Sequence, residues 1–357
     1  MQPVASRPVP SRLDPIIDRR LWGMRDLAPL FPEHRNEDPP IAEIWLTGPG
    51  CKFATGPYAG RELADAWREM PAAWRGTRCA NDAEISLLVK FLFPGEKPSI
   101  QVHPDDAYAA KHEAARGGRG KTEMWHVLAV PDVRKADPLF VNLRSDVTRE
   151  SFRNAIEDGS LESLILRIPV TEGDSVFVPA GTVHTIGAGL MLCEIMEQSD
   201  ITYRVYDYKR KGPDGRERPL HVQQALDVIT FGHQAGEMAA PAVRSERGLK
   251  QSFLAACRYF ATERWEFDAH VGGVTSPGSF ELLVFLSGSG HIASGHEKQG
   301  YARMQVWFLP AALGAFQIEP AEPTVLLHVS VPDLNAYCRR LDDLGFPRDE
   351  WSRVIHL

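Results

Sequence analysis

Two polar residues near position 100 have the types and the spacing of metal ligands. Gln101 and His103 lie two positions apart in an apolar run that is typical of a β-strand. Side chains alternate between the two faces of a strand, so this pair should point one way, with Ile100 and Val102 on the other face. Pro104 has no N–H to donate to a sheet and should end the strand. The pair is therefore half of a candidate metal site.

Two further segments offer the remaining ligands. Glu123 opens an apolar run, and the Gly- and Pro-containing turn 179–182 should deliver His184 into the same cavity. Two imidazoles, one carboxylate and one amide oxygen suit a divalent ion with a position left for water or substrate. A lone histidine on a strand is more often structural. It is the combination of four such residues, each beside a turn, that indicates a site.

Three charged residues could move protons or hold developing charge. Glu194 lies on the strand that follows the His184 turn, and Arg204 comes ten residues later. An arginine stays ionised and can stabilise an oxyanion or an enediolate. Lys90 interrupts an apolar strand. Either its ammonium reaches solvent along its aliphatic stem, or it faces the cavity, where burial would lower its pKa. The spacing alone leaves both alternatives open.

The elements that must position these residues are mainly short strands with Gly and Pro turns. Helices are predicted over 61–74, 105–115, 148–167, 220–229 and 333–344, and Thr148 and Ser151 are both candidate N-caps of the third. Strand patterns restart near residue 250, and Phe177–Ala180 has a weak echo in Phe308–Ala311. We therefore predict a mainly β fold of two cupin-type antiparallel jelly-roll barrels, with helices inserted in the N-terminal half.

Length and composition narrow the function classes. The chain has 357 residues, which suggests about two domains, and we place them at 1–235 and 236–357, the second with a C-terminal helix. The net charge of −7 argues against nucleic-acid binding. No apolar run is long enough to span a membrane, and the N-terminal stretch lacks the apolar segment of a signal peptide. Five scattered cysteines without CxxC spacing suggest reduced thiols, so we expect a cytoplasmic protein.

Five motifs together resemble one known family. SIQVHPDD, GKTEMW, VPAGTVHTIGAG, EIMEQSDITYRVYDY and RPLHVQQALDVI are similar to the class I mannose-6-phosphate isomerases in their short bacterial form, across roughly residues 20–230. The resemblance implies a cupin fold with one catalytic zinc ion per chain. It places the metal ligands on Gln101, His103, Glu123 and His184. It places the other active-site residues on Lys90, Lys121, Glu194 and Arg204.

The implied reaction converts mannose 6-phosphate and fructose 6-phosphate into each other through a cis-enediol. The ion would polarise the sugar oxygens, and Glu194 or a metal-bound water would move the proton between carbon atoms. Arg204 would stabilise the enediolate charge, while Lys90 and Lys121 could help open the ring or hold anionic groups. The second barrel has Ala315 at the position that matches His184, so we expect that half to be metal-free.

Two alternatives remain open at this point. Two histidines and a carboxylate also suit non-haem iron, so a cupin dioxygenase is one of them. Gln101 in place of a third histidine weighs against it. The other is a sugar-phosphate-binding cupin without catalysis, against which the retained Glu194 and Arg204 argue. The sequence does not fix the oligomeric state.

Overall fold

A computed structural model describes residues 7–212, 215–233 and 235–357. The described residues form a mainly β fold of antiparallel sheets, which confirms the predicted fold class. No helix in these three ranges is both long and apolar enough to cross a membrane.

The strands are numbered along the chain. They are β1 (Ser11–Asp14), β2 (Ile16–Met24), β3 (Ile41–Trp45), β4 (Lys52–Phe53), β5 (Leu87–Leu92), β6 (Ile100–Val102), β7 (Glu123–Ala129), β8 (Leu139–Leu143), β9 (Ile165–Ile168), β10 (Ser175–Val178), β11 (His184–Thr185), β12 (Met191–Glu197), β13 (Tyr203–Tyr206), β14 (Glu237–Met238), β15 (Ala242–Glu246), β16 (Leu249–Ala256), β17 (Ala261–Phe267), β18 (Val271–Val274), β19 (Glu281–Ser287), β20 (Gly290–Ser294), β21 (Glu297–Tyr301), β22 (Val306–Leu309), β23 (Ala315–Pro320) and β24 (Thr324–Ser330).

The helices are short. They are α1 (Leu63–Glu69), α2 (Ala72–Arg75), α3 (Asp106–His112), α4 (Arg149–Asp158), α5 (Val222–Val228), α6 (Leu334–Asp343) and α7 (Arg348–Trp351). The side chain of Asp105 caps α3 by accepting from the N–H of Tyr108, and Thr148 caps α4 in the same way.

Contacts divide the chain into two compact units that are discontinuous in sequence. The central unit consists of Ile17–Ile44 and Val89–Met238. The terminal unit consists of the described chain up to Ile16, together with Trp45–Leu88 and Ala239–Leu357. The domain boundary that we place near residue 235 stays a prediction.

The central unit is built around a five-stranded sheet, in the order β13-β6-β11-β8-β9, and the sheet β14-β10-β7-β12-β5-β3-β2. Apolar residues of both sheets, among them Trp125 of β7 and Val141 of β8, share one buried cluster. The opposite face of the five-stranded sheet packs on helices α3, α4 and α5, and there Ile100 and Val102 are fully buried. The predicted alternation along β6 is therefore confirmed, because its apolar residues face the helices.

The terminal unit also has two sheets. An eight-stranded sheet runs in the order β15-β16-β17-β24-β19-β22-β1-β4, and a four-stranded sheet in the order β18-β23-β20-β21. Trp265, Phe285 and Leu326 of the first sheet pack with Phe316 and Ile318 of the second in one apolar cluster. This interior face becomes polar at one end of strands β17, β19 and β24.

Three predicted elements differ from the structure. The helix predicted over 148–167 ends at Asp158, because Gly159 adopts a left-handed conformation (φ 82°). The chain then forms a short 3-10 helix at Leu161–Leu164 before it enters β9. The helix predicted over 61–74 is split into α1 and α2 at Pro71, which has no N–H for a helical hydrogen bond. The third difference concerns the stretch 232–248, whose polar, Gly- and Ala-containing composition predicts a linker. It contains β14 and β15, while its residue 234 lies outside the described residues.

Candidate metal centre

Three neighbouring strands of the five-stranded sheet place polar residues side by side. Gln101 of β6 is paired with His184 of β11 on one side and with Arg204 of β13 on the other. Directly opposed residues of antiparallel strands point to the same face of a sheet. Strand register therefore brings together three residues that are up to 103 positions apart in the sequence.

The seven-stranded sheet contributes carboxylates from the opposite side. Glu123 of β7 is paired with Met196 of β12, and Trp125 is paired with Glu194. Since residues two apart on a strand share a face, Glu123, Trp125 and Glu194 all point the same way. Both glutamates are buried, Glu123 completely.

Two histidines and one glutamate converge on a single point. His184 Nε2 lies 3.4 Å from Glu123 Oε1, and His103 Nε2 lies 3.6 Å from Glu123 Oε2. One ligand atom from each residue lies within 4.8 Å of the other two, and all three residues are buried. This donor set of two imidazole nitrogens and one carboxylate oxygen is one that binds divalent transition metals.

The hydrogen bonds of the two histidines engage Nδ1 and leave Nε2 of each ring available to bind a metal. His103 Nδ1 lies 2.8 Å from the carbonyl oxygen of Ile201, and His184 Nδ1 lies 2.9 Å from that of Thr182. A carbonyl only accepts, so each Nδ1 carries the hydrogen and each Nε2 keeps its lone pair. Burial and the nearby Lys121 ammonium lower the pKa of His184 to about 4 and that of His103 well below its usual value.

The Glu123 carboxylate is the strongest sign of a cation site. Both of its oxygens are buried, and neither accepts a hydrogen bond of normal geometry. Lys121 Nζ lies 2.6 Å from Glu123 Oε2 and 3.3 Å from His103 Nε2. A buried carboxylate is costly unless positive charge compensates it. The Lys121 ammonium compensates Oε2 in part, and Oε1 with the two histidine nitrogens fits a bound metal ion.

Gln101 lies at the edge of the cluster. Its Nε2 is 3.3 Å from His184 Nε2, while its Oε1 accepts from the Ser99 hydroxyl at 3.3 Å. Rotating the amide by 180° exchanges its oxygen and nitrogen at little steric cost. With that rotation the oxygen faces His184 Nε2 and the ligand cluster.

Glu194 sits beside the cluster in a partly compensated environment. Its Oε1 lies 3.4 Å from Lys121 Nζ and 3.4 Å from the indole nitrogen of Trp125. Burial raises the pKa of Glu194, and the nearby Glu123 raises it further, against the opposing effect of Lys121. For Lys121 burial alone would lower the pKa, but Glu123 and Glu194 raise it.

Lys90 is buried and ion-paired, which decides between the two alternatives that the sequence left open. Only 3% of the residue is exposed, and its Nζ lies 3.4 Å from Glu43 and 3.2 Å from Asp200. The interpretation in which its ammonium reaches the surface is wrong. Burial alone would lower its pKa, as expected for a buried lysine, but the two carboxylates outweigh that effect and raise it.

Arg204 lies in a cluster of like charges. Burial lowers its pKa, and the neighbouring guanidinium of Arg218 lowers it further. Arg218 and Arg210 both donate to Asp207, each at 2.6 Å. Asp207 thereby holds the two other arginines, while Arg204 Nη1 donates to the carbonyl oxygen of Pro219 at 3.2 Å.

Sequence reasoning missed four residues that support the site. Glu43 and Asp200 contact Lys90, Trp125 donates to Glu194, and the carboxylate of Glu197 accepts from the N–H of Thr122 at 2.8 Å. Glu43 offered the same signal as Lys90, a single charge within an apolar strand. Trp125 is paired with Glu194 across β7 and β12, whereas Glu197 ends β12 and Asp200 lies in the loop after it. The partners of these three residues are distant in the sequence, so spacing does not reveal them.

Known proteins resemble the chain over most of its length. A search of protein-family models finds none that matches. A probable mannose-6-phosphate isomerase of Bacillus subtilis, GmuF, is 32% identical over 314 residues, which are 87% of this chain and 96% of that protein. A mannose-6-phosphate isomerase of Streptococcus mutans is 33% identical over 74% of this chain and 79% of its own length.

Two solved structures share the fold of this chain. The crystal structure of a mannose 6-phosphate isomerase from Bacillus subtilis superposes with a TM-score of 0.79 at 27% identity, over 90% of this chain and 99% of that one. A phosphomannose isomerase from Salmonella typhimurium shares the fold with a TM-score of 0.70 at 15% identity, over 90% of this chain and 98% of that one.

Proposed function

Because the chain belongs to the mannose-6-phosphate isomerase family, we propose that it interconverts mannose 6-phosphate and fructose 6-phosphate. The observation that carries the proposal is the convergence of His103, Glu123 and His184 on one point, next to the buried carboxylate of Glu194. A metal-type donor set beside a group that can exchange a proton is what an aldose–ketose isomerisation requires.

The donor set fits zinc, one ion per chain. Zinc is bound by imidazole nitrogen and carboxylate oxygen, and a catalytic zinc keeps a position open beyond its protein ligands. His103, Glu123 and His184 would hold the ion, with the Gln101 amide oxygen as the fourth ligand. When bound, zinc would polarise the carbonyl and hydroxyl oxygens of the sugar and acidify the carbon-bound proton.

Glu194 is our candidate for the proton shuttle. Its carboxylate would take the proton from C2 of the aldose, and the same proton would return to C1 to give the ketose. Between these steps the O1 oxygen gains a proton and the O2 oxygen loses one, so the atoms balance. A general base works best with a pKa near the operating pH, and burial moves the pKa of Glu194 in that direction.

Three cations would hold the anionic groups of the site in place. Arg204, paired in register with Gln101, would stabilise the enediolate, because a guanidinium keeps its charge even when it is partly buried. Lys121 would keep Glu194 oriented between its ammonium and the Trp125 indole. Lys90, fixed by Glu43 and Asp200, would contribute positive charge at the side of Glu194.

The decisive experiment is a coupled isomerase assay with fructose 6-phosphate, before and after treatment with a chelator. We expect activity in the purified protein, loss of it after chelation, and recovery on addition of zinc. Elemental analysis of the same samples gives the metal and its stoichiometry, with one zinc per chain expected. Full activity after complete removal of metal would contradict the proposal.

The same samples distinguish the isomerase from the two alternative functions. Stoichiometric iron together with oxygen uptake would indicate a dioxygenase instead. Sugar-phosphate binding without turnover, in protein loaded with metal, would indicate a binding protein.

Free thiols at all five cysteines, four of them buried, support our placement of the enzyme in a reducing compartment such as the cytoplasm.

A further inference from the structure

A second group of ionisable residues lies at one end of the interior face of the terminal unit. His328 of β24 is paired with Glu263 of β17 on one side and with Leu283 of β19 on the other. Alternation along these strands places Glu263, Glu281 and His328 on the face that carries the apolar cluster of Trp265, Leu283 and Leu326. Charged groups on an interior face are rare unless they are paired or functional.

Glu263 is held by donors from three elements. Its carboxylate accepts from Gln251 at 2.6 Å, from the Trp265 indole at 2.9 Å and from the Tyr337 hydroxyl at 3.3 Å, and it is ion-paired with Arg340. Burial would raise its pKa, but the Arg340 guanidinium and His328 bring it down to about 2. Glu263 is therefore a fixed anion that keeps these neighbours in place.

Glu281 and His328 form a second fixed pair. His328 Nε2 lies 2.8 Å from Glu281 Oε2, and Glu281 Oε1 accepts from the N–H of Ser276 at 3.1 Å. The His328 ring also stacks on Trp265, with ring centroids 5.0 Å apart. These groups form a rigid wall in which aromatic and polar surfaces are adjacent.

This wall lines a cavity of about 430 Å³. Its other walls are the helix α6, through Ala336 and Arg340, and the side chains of Arg78 and Phe316. Small-molecule sites in proteins are typically clefts of about 300–1,000 Å³ with aromatic walls and a few convergent polar groups. The cavity therefore has the size and the lining of a ligand site.

The fixed charges that line the cavity cancel. The two guanidinium groups of Arg78 and Arg340 are matched by the two carboxylates of Glu281 and Asp333. Glu263 is buried behind this lining, where it is ion-paired with Arg340 and lies 3.9 Å from His328 Nδ1. Within the described residues, the His/Cys/Asp/Glu cluster with metal-ligand spacing is the one around Glu123, and these carboxylates do not form another. A balanced set of donors and acceptors disfavours a phosphorylated sugar or a metal ion and favours a neutral ligand with many hydroxyl groups.

We propose that this cavity binds a neutral hexose, the unphosphorylated form of the sugar. The guanidinium of Arg78 and the carboxylates of Glu281 and Asp333 would hydrogen-bond its hydroxyls, and its C–H face would pack on Trp265 and Phe316. The site lies wholly within the terminal unit, whereas the candidate metal centre lies wholly within the central unit. Hexose binding here is therefore independent of the proposed isomerase reaction.

The test is calorimetric titration of the full chain with D-mannose, using a variant that fills the cavity. Ala336 is an exposed residue of α6 that lines the cavity, so Ala336→Trp should block it without disturbing the fold. Asn335→Trp places the same side chain one position away, at an exposed residue that does not line the cavity. We expect binding in the parent chain, unchanged binding in Asn335→Trp, and a loss of affinity of at least about tenfold in Ala336→Trp.

Arg78→Ala is a second variant, at an exposed residue, and should also weaken binding about tenfold while the isomerase activity stays unchanged. Absence of heat with mannose, or equal binding in Ala336→Trp and Asn335→Trp, would overturn the proposal. So would inorganic phosphate binding that Ala336→Trp abolishes, since that would show an anion site. Each outcome is distinct from a failed isomerase assay, because the titration does not require turnover.

Discussion

The chemistry of the candidate metal centre depends on which nitrogen of each imidazole carries the proton. His103 and His184 each donate Nδ1–H to a backbone carbonyl, at Ile201 and Thr182. Thr182 lies just before β11 and Ile201 just before β13. Backbone carbonyls, and not neighbouring side chains, therefore set the two tautomers. The two Nε2 lone pairs then face the carboxylate of Glu123.

The first prediction concerns metal binding. His184→Ala removes one of three convergent ligand atoms, and we expect metal content to fall from one ion per chain to near zero, with loss of isomerase activity. His112→Ala, at an exposed histidine of α3, should leave both unchanged. Elemental analysis after dialysis measures the effect, and a full complement of metal in His184→Ala would remove this residue from the ligand set.

The second prediction separates catalysis from metal binding. Arg204→Ala removes the cation next to Gln101 but none of the three convergent ligand atoms. We expect kcat to fall by about 10²–10³-fold, the size of effect typical for a group that stabilises developing negative charge, with metal content unchanged. Steady-state kinetics and elemental analysis on one preparation measure both. Near-normal turnover in Arg204→Ala would show that the arginine has no catalytic role.

At the level of elements, the three residues of β6 contribute both to the apolar core and to the candidate metal centre. Ile100 and Val102 pack on the helices that cover the five-stranded sheet, and Gln101 between them points toward the candidate metal centre. A slip of one residue would exchange these faces, burying the amide among apolar side chains. The apolar packing of α3, α4 and α5 therefore fixes the register of the site residues.

The third prediction concerns the helix α4, whose Phe152 and Ala155 lie in that packing. The Thr148 side chain accepts from the N–H of Ser151 at 3.1 Å, so Thr148→Ala leaves a helical N–H without its partner. We expect the free energy of unfolding to fall by about 1 kcal/mol, with isomerase activity at 25 °C retained. Urea denaturation measures the change.

Arg153→Ala is the matched control, since Arg153 is an exposed residue in the middle of the same helix. Its expected effect is within about 0.5 kcal/mol. If the two variants lost equal stability, the cap would not account for the effect of Thr148→Ala.

At the scale of the whole molecule, acid stability should depend on Glu263. Its pKa of about 2 in the folded protein lies below its ordinary value of 4.5, so the folded state binds this proton less readily than the unfolded state. The resulting stabilisation is fully present above pH 4.5 and is lost as the pH falls toward about 2. Its full size is on the order of 3 kcal/mol.

The fourth prediction follows from that shift. Glu263→Gln cannot titrate, so the parent chain should exceed it in stability by the largest margin above pH 4.5, and the margin should shrink as the pH falls toward 2. Urea denaturation at several pH values measures the margin. A difference in the free energy of unfolding that stays constant over this range would contradict the lowered pKa.

The sequence by itself determined the fold class, the ligand candidates and the family. Alternation along a strand put Gln101 and His103 on one face, and motif spacing added Glu123 and His184, because these signals are local or lie in short segments. Element ends were less accurate. Thr148 and Ser151 were both candidate caps, and the structure has Thr148 in that position. The strand β9 was missed because its pairing with β8 depends on residues more than twenty positions away.

Only the tertiary structure decided the environment of each charge. The strand pattern alone did not show whether Lys90 is buried. In the folded chain its ammonium pairs with Glu43 and Asp200, which approach from other parts of the sequence. The polar cavity beside Glu281 and His328 left no local signal, since its walls come from strands, a helix and a turn that meet only after folding. A residue's type and spacing specify what chemistry it can do. Its pKa and its partners depend on dielectric and distance, which long-range packing sets.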